Sequence, residues 1–159
     1  MITNLKILSP SRKSVFDGIP KLSTTDRKAL MIQDAKTKKV TRSFRSNTNK
    51  VGFLIQRAYF QLKGRFFKPD QFRQVDIREA EKALGLKASF HPDDYNEKTM
   101  YVHRNIIRSL YDWKPFDDDT HSNLSYLASI HSKEQQDSED ILFALLEYCW
   151  RNKIEIPAY

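Results

Sequence analysis

The sequence is poor in the residues that form turns and crosslinks. It has four glycines and six prolines among 159 residues, which argues against a β-fold with many tight turns. Its single cysteine, Cys149, excludes an intrachain disulfide and lies in the apolar run ILFALLEYCW, which predicts a buried thiol. No apolar run approaches the roughly 20 residues that cross a bilayer, and the start lacks the apolar segment of a signal peptide. We expect no membrane contact and a cytoplasmic location.

Motifs for catalysis or metal binding are also missing. The four histidines lack the spacing of a zinc site, and His103 falls on the apolar side of a predicted helix, which favours a hydrogen-bonded packing role. The carboxylates of residues 117–119 directly precede another predicted helix, where they complement its N-terminal dipole. No Gly-rich phosphate loop or nucleophile elbow is present. We therefore expect no catalytic residues, no metal and no cofactor in this chain.

Acidic residues are scarce in the first half. Residues 1–75 contain 17 Lys/Arg against 4 Asp/Glu, residues 76–114 contain 7 against 7, and residues 115–159 contain 3 against 9. Such asymmetry is typical of a chain with a nucleic-acid surface at one end and a partner-facing or solvated surface at the other.

Hydrophobic periodicity predicts an all-α fold, a compact bundle of about five to six helices. The predicted helices span residues 23–40, 50–64, 76–85, 95–113, 120–130 and 138–152. Gly64 and Gly85 each follow the last periodic residue of a helix and are suited to end it. Asp76 and Glu79 have the spacing of a capping box at the start of the third helix.

The order of these helices predicts a domain organisation. An N-terminal arm covers residues 1–22, a helical domain covers 23–153, and residues 154–159 begin a linker into further domains of a longer protein. Within the domain, residues 76–112 form a loose helix-turn-helix-like unit, with a connection longer than that of the tight motif.

Two basic segments are candidates for contact with phosphates. The stretch TRSFRSNTNK, residues 41–50, places Arg42, Arg45, Asn49 and Lys50 at a helix start, which favours an anion, although a solvated loop explains the composition equally well. In GRFFKPDQF, residues 64–72, the three phenylalanines are predicted to fill the core, while Arg65 and Lys68 remain available to phosphates.

The helix predicted over residues 95–113 carries a polar stripe of Tyr101, Arg104, Asn105 and Arg108, with Lys98 one turn earlier. Its apolar side includes Ile106, Ile107 and Leu110. Arginine and asparagine can contact base edges, but they also donate to phosphates and occur on ordinary solvated helices. The stripe is therefore a candidate surface for either kind of DNA contact.

Several motifs, in order, resemble the N-terminal region of the Tn-three family of bacterial transposases. They are ILSPSRKSVF, IPKLS, SFRSNTNKVGFLIQRAYF, RFFKPDQFRQVDIREAEKALG, TMYVHRNIIRSL, KPF and RNKIEIPAY, which together cover most of the chain. Lys50 stands where that family commonly has an arginine, and LYDW at residues 110–113 replaces a Leu-Gly pair that usually ends the helix.

This resemblance implies a DNA-binding region that recognises the terminal inverted repeats of a transposon. It implies double-stranded DNA and the downstream domains of the same transposase as partners, a bacterial cytoplasmic location, and a catalytic core outside this chain. Two alternatives stay open: a protein-interaction module of the transposase assembly that uses the acidic C-terminal third, and an RNA-binding helical domain.

Overall fold

The computed structural model describes residues 7–158. Within these residues the chain forms eight α-helices, two short 3₁₀ helices and no strand, which confirms the all-α prediction with more helices than expected. The α-helices are α1 (Pro10–Asp17), α2 (Thr24–Met31), α3 (Ala35–Ser43), α4 (Asn47–Lys63), α5 (Gln74–Ala83), α6 (Glu97–Tyr111), α7 (Asp118–Lys133) and α8 (Ser138–Arg151). The 3₁₀ helices are Pro69–Gln71 and Pro92–Asp94.

The chain divides into two compact units. The basic unit is Ile19–Tyr111, with 20 Lys/Arg against 9 Asp/Glu, a net charge of +11. The acidic unit combines Met1–Gly18 with Asp112–Tyr159, with 7 Lys/Arg against 11 Asp/Glu, a net charge of −4. The sequence predicted one helical domain over residues 23–153, whereas this division places both ends of the chain in one unit.

Helix α4 is the centre of the basic unit. Every residue from Val51 to Phe60 is buried, and α2, α3, α5 and α6 all pack against this helix. Its C-terminus is stopped by Gly64, which adopts a left-handed φ of 65° and donates its N–H to the Phe60 carbonyl at 2.8 Å. This confirms the predicted role of Gly64, because a left-handed residue costs glycine little.

The helix predicted over residues 23–40 is interrupted at residues 32–34, which separates α2 from α3. The buried Arg57 of α4 donates to the carbonyls of Leu30 and Ile32 at 3.3 and 3.1 Å, which satisfies backbone groups at the end of α2. Asp34 then caps α3 by accepting the Thr37 N–H at 2.7 Å. The prediction of a single helix was wrong because a distant arginine stabilises the break. Helix α3 also continues to Ser43, so part of the predicted loop is helical.

Asp76 does not begin a capping box. It is fully buried inside α5, where its carboxylate accepts from Arg27 Nε and from the Tyr59 hydroxyl, both at 2.6 Å. The helix begins earlier, at Gln74. Burial and the hydrogen bond to Asp76 raise the pKa of Tyr59, which keeps the phenol protonated. This network ties α5 to α2 and α4.

Helices α5 and α6 are joined by residues 84–96 and both pack on α4. The Glu81 carboxylate holds this connection by accepting the N–H groups of Ser89 and Phe90 at 2.8 and 3.1 Å. The connection is longer than the three or four residues that join the helices of a tight helix-turn-helix. The helix-turn-helix-like unit over residues 76–112 stays a prediction.

The acidic unit contains α1, α7 and α8. Its core consists of Cys149, Ile154 and Ile156, against which Phe16 and Phe116, among others, pack. Burial raises the pKa of the Cys149 thiol, in agreement with the predicted structural role. Residues 154–159 were predicted to begin a linker, but both isoleucines are buried, and the backbone of Lys114 exchanges hydrogen bonds with Lys153 and Glu155.

One α-helix lies within the residues predicted as an N-terminal arm. The predicted arm, residues 1–22, contains the helix α1, which Pro10 starts and Ser9 caps by accepting the Arg12 N–H. Residues 1–6 of this arm and Tyr159 of the predicted linker lie outside the described residues. Helix α7 begins two residues earlier than predicted: Asp117 caps it by accepting the Thr120 N–H at 2.8 Å, and Asp118 and Asp119 lie in its first turn, where carboxylates complement the helix dipole as expected.

Candidate nucleic-acid interface

Helix α6 is anchored in the basic unit by His103 and Ile107, which are buried. The His103 ring centroid lies 4.3 Å from that of Phe44 and 5.3 Å from that of Phe53. Its Nδ1 lies 2.7 Å from the Tyr95 hydroxyl oxygen. Burial lowers the pKa of His103 to about 4, so the imidazole is neutral at pH 7. This confirms the interpretation of His103 as a hydrogen-bonded packing residue, and it fixes the rotation of α6.

The opposite side of α6 presents the four residues of the predicted stripe, which we call the α6 row: Tyr101, Arg104, Asn105 and Arg108. Tyr101 is 65% exposed, Asn105 is exposed, and the two arginines are half-buried. Their guanidinium carbons lie 5.6 and 6.0 Å from the centroid of the Phe66 ring, and Arg108 also donates to the Asn105 side-chain oxygen. Arg104, Asn105 and Arg108 are therefore held by packing or hydrogen bonding, which lowers the entropy lost when these side chains bind a ligand.

The aromatic platform under the row comes from the stretch GRFFKPDQF. Phe67 and Phe72 are buried, as predicted for core residues. Phe66 is instead half-buried and stacks on Phe60 of α4, with ring centroids 4.5 Å apart. One of the three predicted core rings thus supports the arginines of α6 at the surface.

An open cleft of about 700 Å³ lies beside the row. Three of its lining residues are candidates from the sequence: Lys68, Tyr101 and Arg104. The same cleft is lined by carboxylates of Asp70, Asp93 and Glu97. Its charge is mixed, so an anion bound there is opposed by three acidic groups.

A second group of cations lies at a smaller cleft of about 220 Å³, which we call the α3 cleft. Lys38 and Arg42 of α3 line it together with Lys50 from the first turn of α4. The remaining lining residues are polar or apolar: Gln33, Thr41, Ala83, Leu84 and Leu86. The structure thus brings together Arg42 and Lys50, which the sequence had singled out, around a cleft that no carboxylate lines.

The other candidates lie apart from these two clefts. Arg45 is exposed between α3 and α4, and Lys98 is exposed in the first turn of α6. Asn49 is half-buried, and its backbone N–H donates to the capping hydroxyl of Ser46. Arg65, predicted to be available to phosphates, is instead buried at 5% exposure, with its guanidinium carbon 5.7 Å from the Phe67 ring centroid. We remove Arg65 from the candidate surface for this reason.

Two residues of the α3 cleft were missed in the sequence. Lys38 stands four residues before Arg42, on the same face of a helix, but this spacing has no meaning if Arg42 is assigned to a loop. Gln33 lies in the break between α2 and α3, where its side-chain oxygen accepts from Thr41 at 2.6 Å. A helix predicted to extend through Ser43 would have indicated Lys38. The position of Gln33 could not be predicted in this way, because it depends on the break between α2 and α3.

Among residues 7–158, no three His, Cys, Asp or Glu side chains come together as a metal site requires. Over the same range, no helix combines the length and the apolar character needed to cross a membrane.

These observations define an all-helical protein in which positive charge is concentrated in one unit and arranged on two surfaces. The chain belongs to a family whose model, described as a domain of unknown function (DUF4158), matches residues 7–159. Comparison with curated proteins finds no match. Comparison with solved structures also finds none.

Proposed function

We propose that this chain binds double-stranded DNA and recognises the terminal inverted repeats of a transposon as the N-terminal part of a bacterial transposase. The observation that carries the proposal is the α6 row, in which two arginines are held on Phe66 beside an exposed tyrosine and an asparagine. Specific readout of base edges needs donors held in a fixed geometry, and this row provides guanidinium and amide groups of the type that pair with guanine and adenine.

The net charge of +11 on the basic unit supports the same proposal. Duplex DNA attracts such a surface because the bound cations release condensed counterions. The resemblance to Tn-three transposases supplies the expected target, the ends of the element that encodes the chain. In this proposal the chain works in the bacterial cytoplasm, performs no catalysis itself and passes the bound DNA to downstream domains of the transposase.

The proposal is tested by fluorescence anisotropy of the full chain with three labelled ligands of equal length: the terminal repeat, a scrambled duplex and a single-stranded RNA. We expect the repeat to bind most tightly. If about four to eight phosphates are neutralised, log K should fall against log salt with a slope of about −4 to −7. A flat salt response, or equal affinity for the repeat and the scrambled duplex, would contradict the proposal, and tighter binding of the RNA would favour the RNA-binding alternative.

Variants of the row test which residues read the sequence. Replacing Arg104, Asn105 or Arg108 by Ala should cost about 1–3 kcal/mol on the repeat and less on the scrambled duplex. Arg78→Ala is the matched control, since this arginine is exposed on α5 and lies in neither cleft. Equal losses on both duplexes would assign the row to backbone contact. Circular dichroism checks that each variant is folded.

A second candidate function concerns the acidic unit. Its exposed residues include Tyr126, Phe143 and Trp150, and aromatic side chains of this kind are enriched at protein interfaces. We propose docking onto another part of the transposase as the alternative role of this unit. Association of the chain with the downstream transposase domains, weakened by Phe143→Ala but unaffected by Arg104→Ala, would support it.

A further inference from the structure

The α3 cleft combines three cationic side chains without a neutralising partner. Lys38 and Arg42 lie one turn apart on α3, and Lys50 faces the same cleft from α4. Within residues 7–158, none of the three forms an ion pair. Like charges four residues apart destabilise a helix, and between Ala35 and Ser43 α3 has no acidic residue, since the nearest carboxylate is that of its N-cap, Asp34. A bound anion would relieve this repulsion.

The lining of the cleft also includes the side-chain amide of Gln33. Thr41 donates its hydroxyl to the Gln33 side-chain oxygen at 2.6 Å. This bond uses the oxygen of the amide and leaves its NH₂ group as the donor. The rest of the lining is apolar and is formed by Ala83, Leu84 and Leu86 at the C-terminal end of α5. The lining therefore combines three cations and an amide group and contains no acidic side chain.

The size of the cleft limits what it can hold. Its volume of about 220 Å³ is smaller than the roughly 300–1,000 Å³ of pockets that enclose whole small molecules. This volume suits a single phosphate group, whose oxygens can accept from all three cations at once.

We propose that the α3 cleft seats one phosphate, and that Lys38, Arg42 and Lys50 hold this same phosphate together. The assignment to a phosphate of the DNA backbone rests on the proposed function. A free compound such as pyrophosphate carries the same chemistry, so the experiment has one arm for each source.

The first arm measures how the affinity for the scrambled duplex depends on salt. The variants are Lys38→Gln, Arg42→Gln and Lys50→Met, made singly and together, and Lys50→Met keeps the aliphatic stem of a half-buried side chain. The control is Lys36→Gln with Lys39→Gln, two exposed lysines of α3 outside the cleft. Circular dichroism confirms that each variant is folded.

The slope of log K against log salt counts neutralised phosphates, at about 0.9 for each. If the three cations share one phosphate, the triple variant should lose about 0.9 of slope, and each single variant no more than that. The variants should weaken binding to the repeat and to the scrambled duplex alike. A loss of about 2.7 in the triple variant would mean three separate phosphates and would overturn the proposal, as would a loss no larger than that of the control.

The second arm measures the melting temperature of the full chain with pyrophosphate and with sodium chloride at equal ionic strength. An anion bound in the cleft raises the melting temperature of the wild type and leaves that of the triple variant unchanged. An equal rise in both proteins would indicate a general effect of phosphate salts and count against the site.

The two proposals can fail separately. If the wild type binds no duplex but pyrophosphate stabilises it through the cleft, DNA binding is refuted and the site serves a free phosphate compound. If the duplex binds and the slope loss of about 0.9 occurs without a pyrophosphate effect, the site belongs to the DNA backbone. If the triple variant changes neither the salt dependence of duplex binding nor the effect of pyrophosphate on the melting temperature, the phosphate site is refuted.

Discussion

Acidification should destabilise the basic unit through His103. This side chain is 1% exposed, and burial lowers its pKa from 6.5 to about 4. Between these pH values the unfolded chain binds a proton that the folded chain does not, so the free energy of unfolding decreases as the pH falls. At about 1.4 kcal/mol per pH unit, the change from pH 6.5 to pH 5 removes about 2 kcal/mol. The full loss, below pH 4, is about 3 kcal/mol.

Two carboxyl groups with lowered pKa values, Asp34 and Asp117, do not add to this change. Backbone N–H bonds from Thr37 and Thr120 lower the pKa of Asp34 and of Asp117 below 3.8. A carboxyl group whose pKa is lowered by folding stabilises the folded state at any pH above its pKa in the unfolded chain. This contribution is lost only when the pH falls below that pKa. Between pH 8 and pH 5 these two groups therefore contribute little change.

The assay is urea unfolding of the full chain at pH 8 and pH 5, followed by far-UV circular dichroism. Trp113 and Trp150 both belong to the acidic unit, so a transition absent from tryptophan fluorescence belongs to the basic unit. When the pH is lowered from 8 to 5, the free energy of unfolding of His103→Gln should fall by about 2 kcal/mol less than that of the wild type. His91→Gln is the matched control, since His91 is exposed in the same unit. If the wild type and His103→Gln lose the same amount, His103 is not the buried neutral group described above.

Two further substitutions test the packing of the basic unit by urea unfolding. Tyr59→Phe removes the hydroxyl that donates to Asp76 and accepts the Arg73 N–H. We therefore expect the free energy of unfolding to fall by about 1.5–3 kcal/mol. An unchanged free energy of unfolding would show that the buried carboxylate does not need this donor. Gly52→Ala places a methyl group 2.8 Å from the buried ring of Tyr95. We expect a less stable variant, because overpacking costs about 1–3 kcal/mol whereas the higher helix propensity of alanine contributes only about 0.5–1 kcal/mol. A stabilised variant would contradict that close packing.

Local signals in the sequence were sufficient for the fold class and for several helix ends. Gly64 ends α4, Asp117 caps α7, and α8 begins at the predicted residue, Ser138. Each of these features depends on residues within about one helical turn. The all-α class follows in the same way, since the spacing of apolar residues reports the helical period directly.

The same local signals failed where a distant residue changes the balance. Asp76 has the spacing of a helix cap, but Arg27 and Tyr59 provide partners that stabilise it inside the unit. The break before Asp34 depends on Arg57, more than twenty residues later. No pattern near either position shows that these partners are present.

The candidate surface also combines features that the sequence predicts with features that depend on tertiary packing. The sequence by itself determined that Tyr101, Arg104, Asn105 and Arg108 share one side of a helix, because helical geometry requires it. Only the tertiary structure decided that Phe66 supports the two arginines while the adjacent Arg65 is buried. Neighbouring residues outside a helix have no fixed period, so the elements packed around them determine which side chain reaches the solvent. The α3 cleft has the same origin, since it joins cations of two helices against the end of a third.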